Sequence, residues 1–183
     1  PIEISIVESM EDVDKYVKVL DEEDIIQSGR LDYAKMVVEK FGSEKFICAG
    51  AGTPFWGSYG YFGFKGLMIN LFRKPKVVDY MLERLLSRRM EELKAYAKIG
   101  IDGIWVEECL SSASEISLDQ FKRFVAPSNR ELISEIKRMG MKSVYYPCGD
   151  VRDRLDLMIE LGADYRSLEE SKKGLEIDLD WVD

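Results

Sequence analysis

NRELISEIKRMGMKSVYYPCGD, residues 129–150, reads as two elements in succession. A helical segment ends at Gly140, a short β-rich run follows, and a polar cluster, Cys148-Gly149-Asp150, closes it. The same order recurs along the chain. LDYAKMVVEKFG (31–42) leads into EKFICAGAGTP, and KVVDYMLERLLSRRMEELKAYAKIG (76–100) leads into IDGIWVEEC. VRDRLDLMIELG (151–162) leads into ADYRSLEESKK. In the longest copy Val78, Leu82, Leu86, Met90, Leu93 and Ala97 recur at three- and four-residue steps, which gives a helix one apolar face. Gly42, Gly100, Gly140 and Gly162 follow these runs where a left-handed C′ glycine would stop a helix. Eight residues beyond the last three glycines stand Glu108, Cys148 and Glu170. The same step from Gly42 reaches Gly50.

Helix and strand alternating four times, with nearly continuous apolar strands, predicts βα units on a parallel sheet. Such sheets carry functional groups at the carboxyl ends of their strands. Each strand here ends in glycine, acid, cysteine or hydroxyl groups, so a shared site is expected there; solvated loop chemistry is the alternative. GAGTPF has phenylalanine where a dinucleotide fingerprint needs its third glycine, which argues against a nucleotide-binding doubly wound sheet. The expected fold is α/β: a partial (β/α)8 TIM barrel of about four βα units, in one domain over residues 1–183. A full barrel takes roughly 250 residues. The chain ends in GLEIDLDWVD, where the start of another helix is expected, and has no initiator methionine. Half a barrel also leaves sheet edges that invite pairing, so a homodimer is expected to cover them.

Composition narrows the chemistry. A net charge of −8, with the basic residues interspersed among acids, disfavours a nucleic-acid partner. No apolar run approaches the roughly 20 residues that cross a bilayer, and the N-terminal PIEISIVESMEDVDK lacks a secretion signal's features. Three widely spaced cysteines, Cys48, Cys109 and Cys148, make a disulfide framework unexpected and a reduced, cytoplasmic setting the expectation. Histidine is absent, so no Ser-His-Asp triad, Cys-His pair or histidine-bound zinc can come from this chain alone.

Three stretches carry candidate chemistry. GAGTPFWGSYGYFGFKG (50–66) holds six of the fourteen glycines and six aromatics. Glycines admit close backbone approach, and Trp56, Tyr59 and Tyr61 offer flat apolar faces to a ligand; packed aromatic filler is the alternative. In VEECLSS (106–112) strand alternation lets only one of Glu107 and Glu108 face inward. Glu108 shares the eight-residue step with Cys148 and is the expected one, able to hold a substrate, act as a base or bind a metal. SLEESKK (167–173) offers Glu170 and Lys172, which can neutralise a substrate carboxylate or form a solvated charge run. Ser117 and Gln120 have capping-box spacing and predict a helix start.

GTPF near Tyr59, GIDGIWVEECLSSASEISLDQFKRFVAP, and KSVYYPCGD followed by GADYRSLEESKKGLEID together resemble the uroporphyrinogen decarboxylase superfamily of (β/α)8 barrels. The resemblance runs over nearly the whole chain and covers the middle of the family fold. It implies one of two activities: decarboxylation of uroporphyrinogen in porphyrin biosynthesis, without a metal, or methyl transfer from corrinoid proteins to thiols. In the decarboxylases Tyr59 or Tyr61 would match a tyrosine that contacts the tetrapyrrole, with a one-residue difference in spacing. The methyltransferases bind zinc through His-x-Cys-Gly and a distant cysteine. Here Cys148-Gly149 matches, Tyr146 replaces the histidine, and the ligand set is incomplete; Tyr146 or Glu108 would have to complete it. The leaning is toward methyl transfer. Cys148 would ligate zinc or present a thiolate, Glu108 and Asp150 would set the charge around it, and Tyr59 and Tyr146 would line the pocket. A small molecule, a tetrapyrrole or a corrinoid protein would be the partner. A fragment that binds or assembles without turnover is the remaining alternative.

Overall fold

The computed structural model describes residues 6–169. Three helices, α1 (Met10–Tyr16), α2 (Glu22–Gln27) and α3 (Asp32–Phe41), precede strand β1 (Cys48–Gly52). A helical hairpin, α4 (Pro54–Arg73) and α5 (Pro75–Lys98), leads to β2 (Gly103–Glu108). Then α6 (Leu118–Gln120), a π-helical turn over Phe121–Val125 and α7 (Ala126–Arg138) lead to β3 (Lys142–Pro147). A 3-10 turn (Arg152–Arg154) and α8 (Leu155–Glu160) lead to the short β4 (Tyr165–Arg166). The four strands form one parallel sheet in the order β1-β2-β3-β4. Sequential neighbours that all run one way, each returned by helix, are the βα pattern the sequence implies. The sheet is an open section of barrel wall.

Burial alternates along β2 and β3. Ile104, Val106 and Glu108 of β2, with Ser143, Tyr145 and Pro147 of β3, are buried, while Trp105, Glu107, Val144 and Tyr146 are not. The first set meets the helices. Ala51, Ile104, Val106 and Tyr145 join one core with Phe55, Phe62, Met81, Leu85, Phe121, Leu132 and Ile136. The second set faces away from them. Among the described residues helices cover one face; the other, which lines the interior of a closed barrel, is not covered by them. Trp105 keeps 38% of its surface and Phe46, packed over Gly103, keeps 58%.

The helix signals act as their chemistry requires, with one exception. Gly100, Gly140 and Gly162 have φ of 86°, 80° and 81°, a region that costs other residues about 1–2 kcal/mol. Gly42 does not: its φ is −62°, and it ends α3 in right-handed geometry. Ser117 Oγ accepts from Gln120 N at 3.3 Å while Gln120 Oε1 accepts from Ser117 N at 3.0 Å, a complete capping box. The glycine-rich stretch 50–66 is mostly helix. Thr53 Oγ1 caps α4 by accepting from Trp56 N, Pro54 fills the first turn, and the helix breaks at Gly63, whose φ is 65°. No helix among the described residues is long and apolar enough to cross a membrane.

Candidate functional site

The parallel register decides which residues share a level at the carboxyl end of the sheet. Gly52 pairs with Glu107, Glu107 with Tyr146, and Glu108 with Pro147. Cys148 N donates to Glu108 O at 3.0 Å, which carries the ladder one residue further. Cys148 is therefore level with Cys109, not with Glu108. Counting from the glycines misses this because β2 starts three residues after Gly100 and β3 two residues after Gly140. Val144 pairs with Tyr165, so Glu169 reaches the same level, and its Oε2 accepts from Gly149 N at 2.7 Å. Glu170 and Lys172 lie outside the described residues.

Glu108 and Glu107 divide as alternation demands, in the opposite sense to the expectation. Glu107 is on the open face. Glu108 is wholly buried on the helix-packed face, where Asn129 Nδ2 of α7 donates to its Oε2 at 2.9 Å and to Tyr145 OH at 3.0 Å. Desolvation pushes the Glu108 pKa up to about 8 against the opposing hydrogen bond from Asn129. Removing water from a carboxylate disfavours its charged form, so Glu108 is a neutral acid at pH 7. Its Oε1 and Asn129 Oδ1 are buried without a hydrogen-bond partner. Burial raises the Tyr145 hydroxyl likewise.

On the other side of the strand ends, the sulfurs of Cys109 and Cys148 lie 2.9 Å apart, and both residues are half-buried. Cys109 Sγ also reaches Glu107 Oε1 at 3.8 Å. The Cys109 hydrogen bond holds the Cys148 thiol below its ordinary range, against burial and the charge of Glu169, while Cys109, the donor, is pushed far up. One proton shared between two sulfurs makes Cys148 the easier of the pair to ionise. The Tyr146 hydroxyl also favours the Cys148 thiolate, and the Tyr146 ring packs on Trp105 at 5.2 Å.

The remaining candidates separate by position. Trp56 packs against Gly52 at the end of β1, where a Cβ would stand 2.8 Å from its ring, and stacks on Tyr59 at 5.4 Å and 5°. These two rings stand at the carboxyl end of the sheet. Tyr61 accepts from Arg88 at 3.3 Å, an interhelical contact between α4 and α5. Asp150 is ion-paired with Arg152, whose hydrogen bonds lower its pKa to about 2. It stays ionised at any working pH.

The sequence reading passed over Cys109, Glu107 and Asn129 as site residues. Aligning strand starts instead of helix-ending glycines would have found Cys109, since 39 residues separate both Gly103 from Lys142 and Cys109 from Cys148. Nothing local marks Asn129; only packing of α7 brings it under the sheet.

A zinc centre of the inherited type needs three protein donors around one point. Among the described residues no group of three His, Cys, Asp or Glu is so arranged. Glu108, a possible third ligand, is on the other face. The two sulfurs are turned onto each other. The described residues do not fit zinc.

An open section of parallel barrel wall with its polar groups at the strand ends defines a class of α/β-barrel proteins. The chain belongs to the uroporphyrinogen decarboxylase family, whose model matches residues 2–178. A uroporphyrinogen decarboxylase from Koribacter versatilis (strain Ellin345) is 27% identical over 144 residues, 74% of this chain and 40% of that protein. A methyltransferase from Methanosarcina mazei superposes with a TM-score of 0.71 at 23% identity, over 81% of this chain and 46% of that one. The chain thus spans less than half the length of either relative.

Proposed function

We propose that the chain contributes part of the active site of an enzyme that transfers a methyl group from a corrinoid to a thiol or related acceptor. The observation that carries this reading is the pair of thiols at the ends of β2 and β3, with Cys148 the more readily ionised. Thiolates are soft nucleophiles and suit methyl chemistry. The ring pairs Trp105–Tyr146 and Trp56–Tyr59 supply flat apolar surface for a tetrapyrrole ring. The single Cys109 proton has two acceptors in reach: directed at Cys148 Sγ it steadies that thiolate, and directed at Glu107 it does not.

Decarboxylation is the second reading, favoured by the Koribacter relative. A decarboxylase that protonates its substrate needs an acid within reach of it. Glu108 holds a proton at neutral pH but is sealed under α7, and Asp150 is locked ionised by Arg152.

The test is a paired assay. Mixed with methylcobalamin and a small thiol, the protein is expected to form the methyl thioether, and Cys148→Ser to lose most of that activity. Uroporphyrinogen III is expected to remain unconverted. Conversion of uroporphyrinogen that survives Cys148→Ser would overturn the assignment.

A further inference from the structure

We propose that Cys109 and Cys148 form a redox-active dithiol that closes to a disulfide by exchange with a small-molecule disulfide, cross-linking the carboxyl ends of β2 and β3. The two thiols are placed where a bridge between neighbouring strands can form. Neighbouring strands lie about 4.8 Å apart, within the roughly 4.4–6.8 Å that disulfides span between Cα atoms. The two residues are level, their sulfurs lie 2.9 Å apart, and the Cys148 amide is bonded to the residue before Cys109.

Both thiols are half-buried and therefore reachable. The misfit to zinc points the same way, because the described residues supply no third donor to hold an ion at the two sulfurs. The Cys109 hydrogen bond also makes Cys148 the better attacking sulfur.

The exchange balances without any further reagent. Cys148 thiolate attacks one sulfur of the small disulfide, a protein–small-molecule disulfide forms, and the other half departs as thiolate. Cys109 then gives its proton to a departing thiolate and attacks Cys148 Sγ, expelling the second half. One disulfide is consumed, one protein disulfide forms, and two small thiols are released. Glu107, 3.8 Å from Cys109, is placed to relay that proton. The closed form has no free thiolate at the strand ends. This inference does not depend on the methyl-transfer reading.

Oxidised glutathione in excess is the probe, and intact mass with peptide mapping is the readout. Cys48, exposed and without a sulfur neighbour among the described residues, is removed first by Cys48→Ser. That protein is expected to lose both remaining free thiols, retain no glutathione, and yield a linked peptide containing Cys109 and Cys148. Adding Cys109→Ser is expected to trap glutathione on Cys148, and dithiothreitol to release it. The proposal is overturned if the Cys48→Ser protein keeps two free thiols, carries glutathione on both cysteines, or holds stoichiometric zinc that shields them. None of these readouts requires turnover.

Discussion

Glu108 is where side-chain chemistry and stability are most tightly coupled. Its carboxyl sits in the folded chain at a pKa of about 8, against 4.5 when exposed. Below pH 4.5 both states are protonated and this residue adds no pH dependence to folding. Above it the unfolded chain releases a proton that the folded chain keeps, so stability falls as pH rises from about 4.5 to 8 and levels off beyond. A shift of this size corresponds to up to about 5 kcal/mol over that window. Glu108→Gln, which has the neutral acid's shape, is expected to flatten that part of the profile and to be the more stable protein at pH 8. Urea melts of both proteins from pH 4 to 9 measure it, and parallel profiles would show that Glu108 is charged in the fold. Asn129 is the matching partner. Asn129→Leu strips the donor from two buried groups at once and is expected to lower stability by about 1–3 kcal/mol, read as a shift in denaturation midpoint.

Elements position the site through their ends. The segment after β2, which carries Cys109, is pinned by a residue from the next βα unit. Arg154 is 1% exposed and donates to Ser111 O at 2.6 Å and Ile116 O at 3.0 Å, with Asp153 as its counter-ion. Arg154→Ala leaves two buried carbonyls without donors and is expected to cost about 3 kcal/mol. If the loop is what holds Cys109 against Cys148, the same variant should slow disulfide closure in the glutathione experiment. Unchanged closure in a destabilised protein would confine Arg154 to a structural role. The turn after β3 is equally constrained: Gly149 has φ of 81°, and a Cβ there would meet Ser112 at 2.8 Å. Gly149→Ala is expected to destabilise by at least about 1 kcal/mol, seen in the same melts.

On the scale of the whole molecule, the feature with consequences is a sheet that the helices among the described residues cover on one face. Trp105, Tyr146, Phe46 and Tyr165 leave apolar surface on or beside the other face, and contiguous exposure of this kind promotes association. Self-association that rises with concentration is therefore expected in sedimentation runs, and Trp105→Lys is expected to weaken it by at least about tenfold. A chain that stays monomeric across the accessible range would show that this face is not where copies meet. The homodimer expected from sheet edges rests on the same measurement.

Repetition along the chain was enough to specify parallel βα units, because helix period, glycine stop and β-rich run are local properties that survive without knowledge of the partner. The capping box at Ser117 and the apolar face of α5 were legible for the same reason. Cys148 could be put at a strand end by position alone. Three-dimensional packing decided what counting could not. Strand pairing set Cys109, not Glu108, beside Cys148, because register depends on where each strand begins relative to its neighbour. The helix layer decided which of two adjacent glutamates was desolvated, since alternation gives two faces but does not say which one the helices will cover.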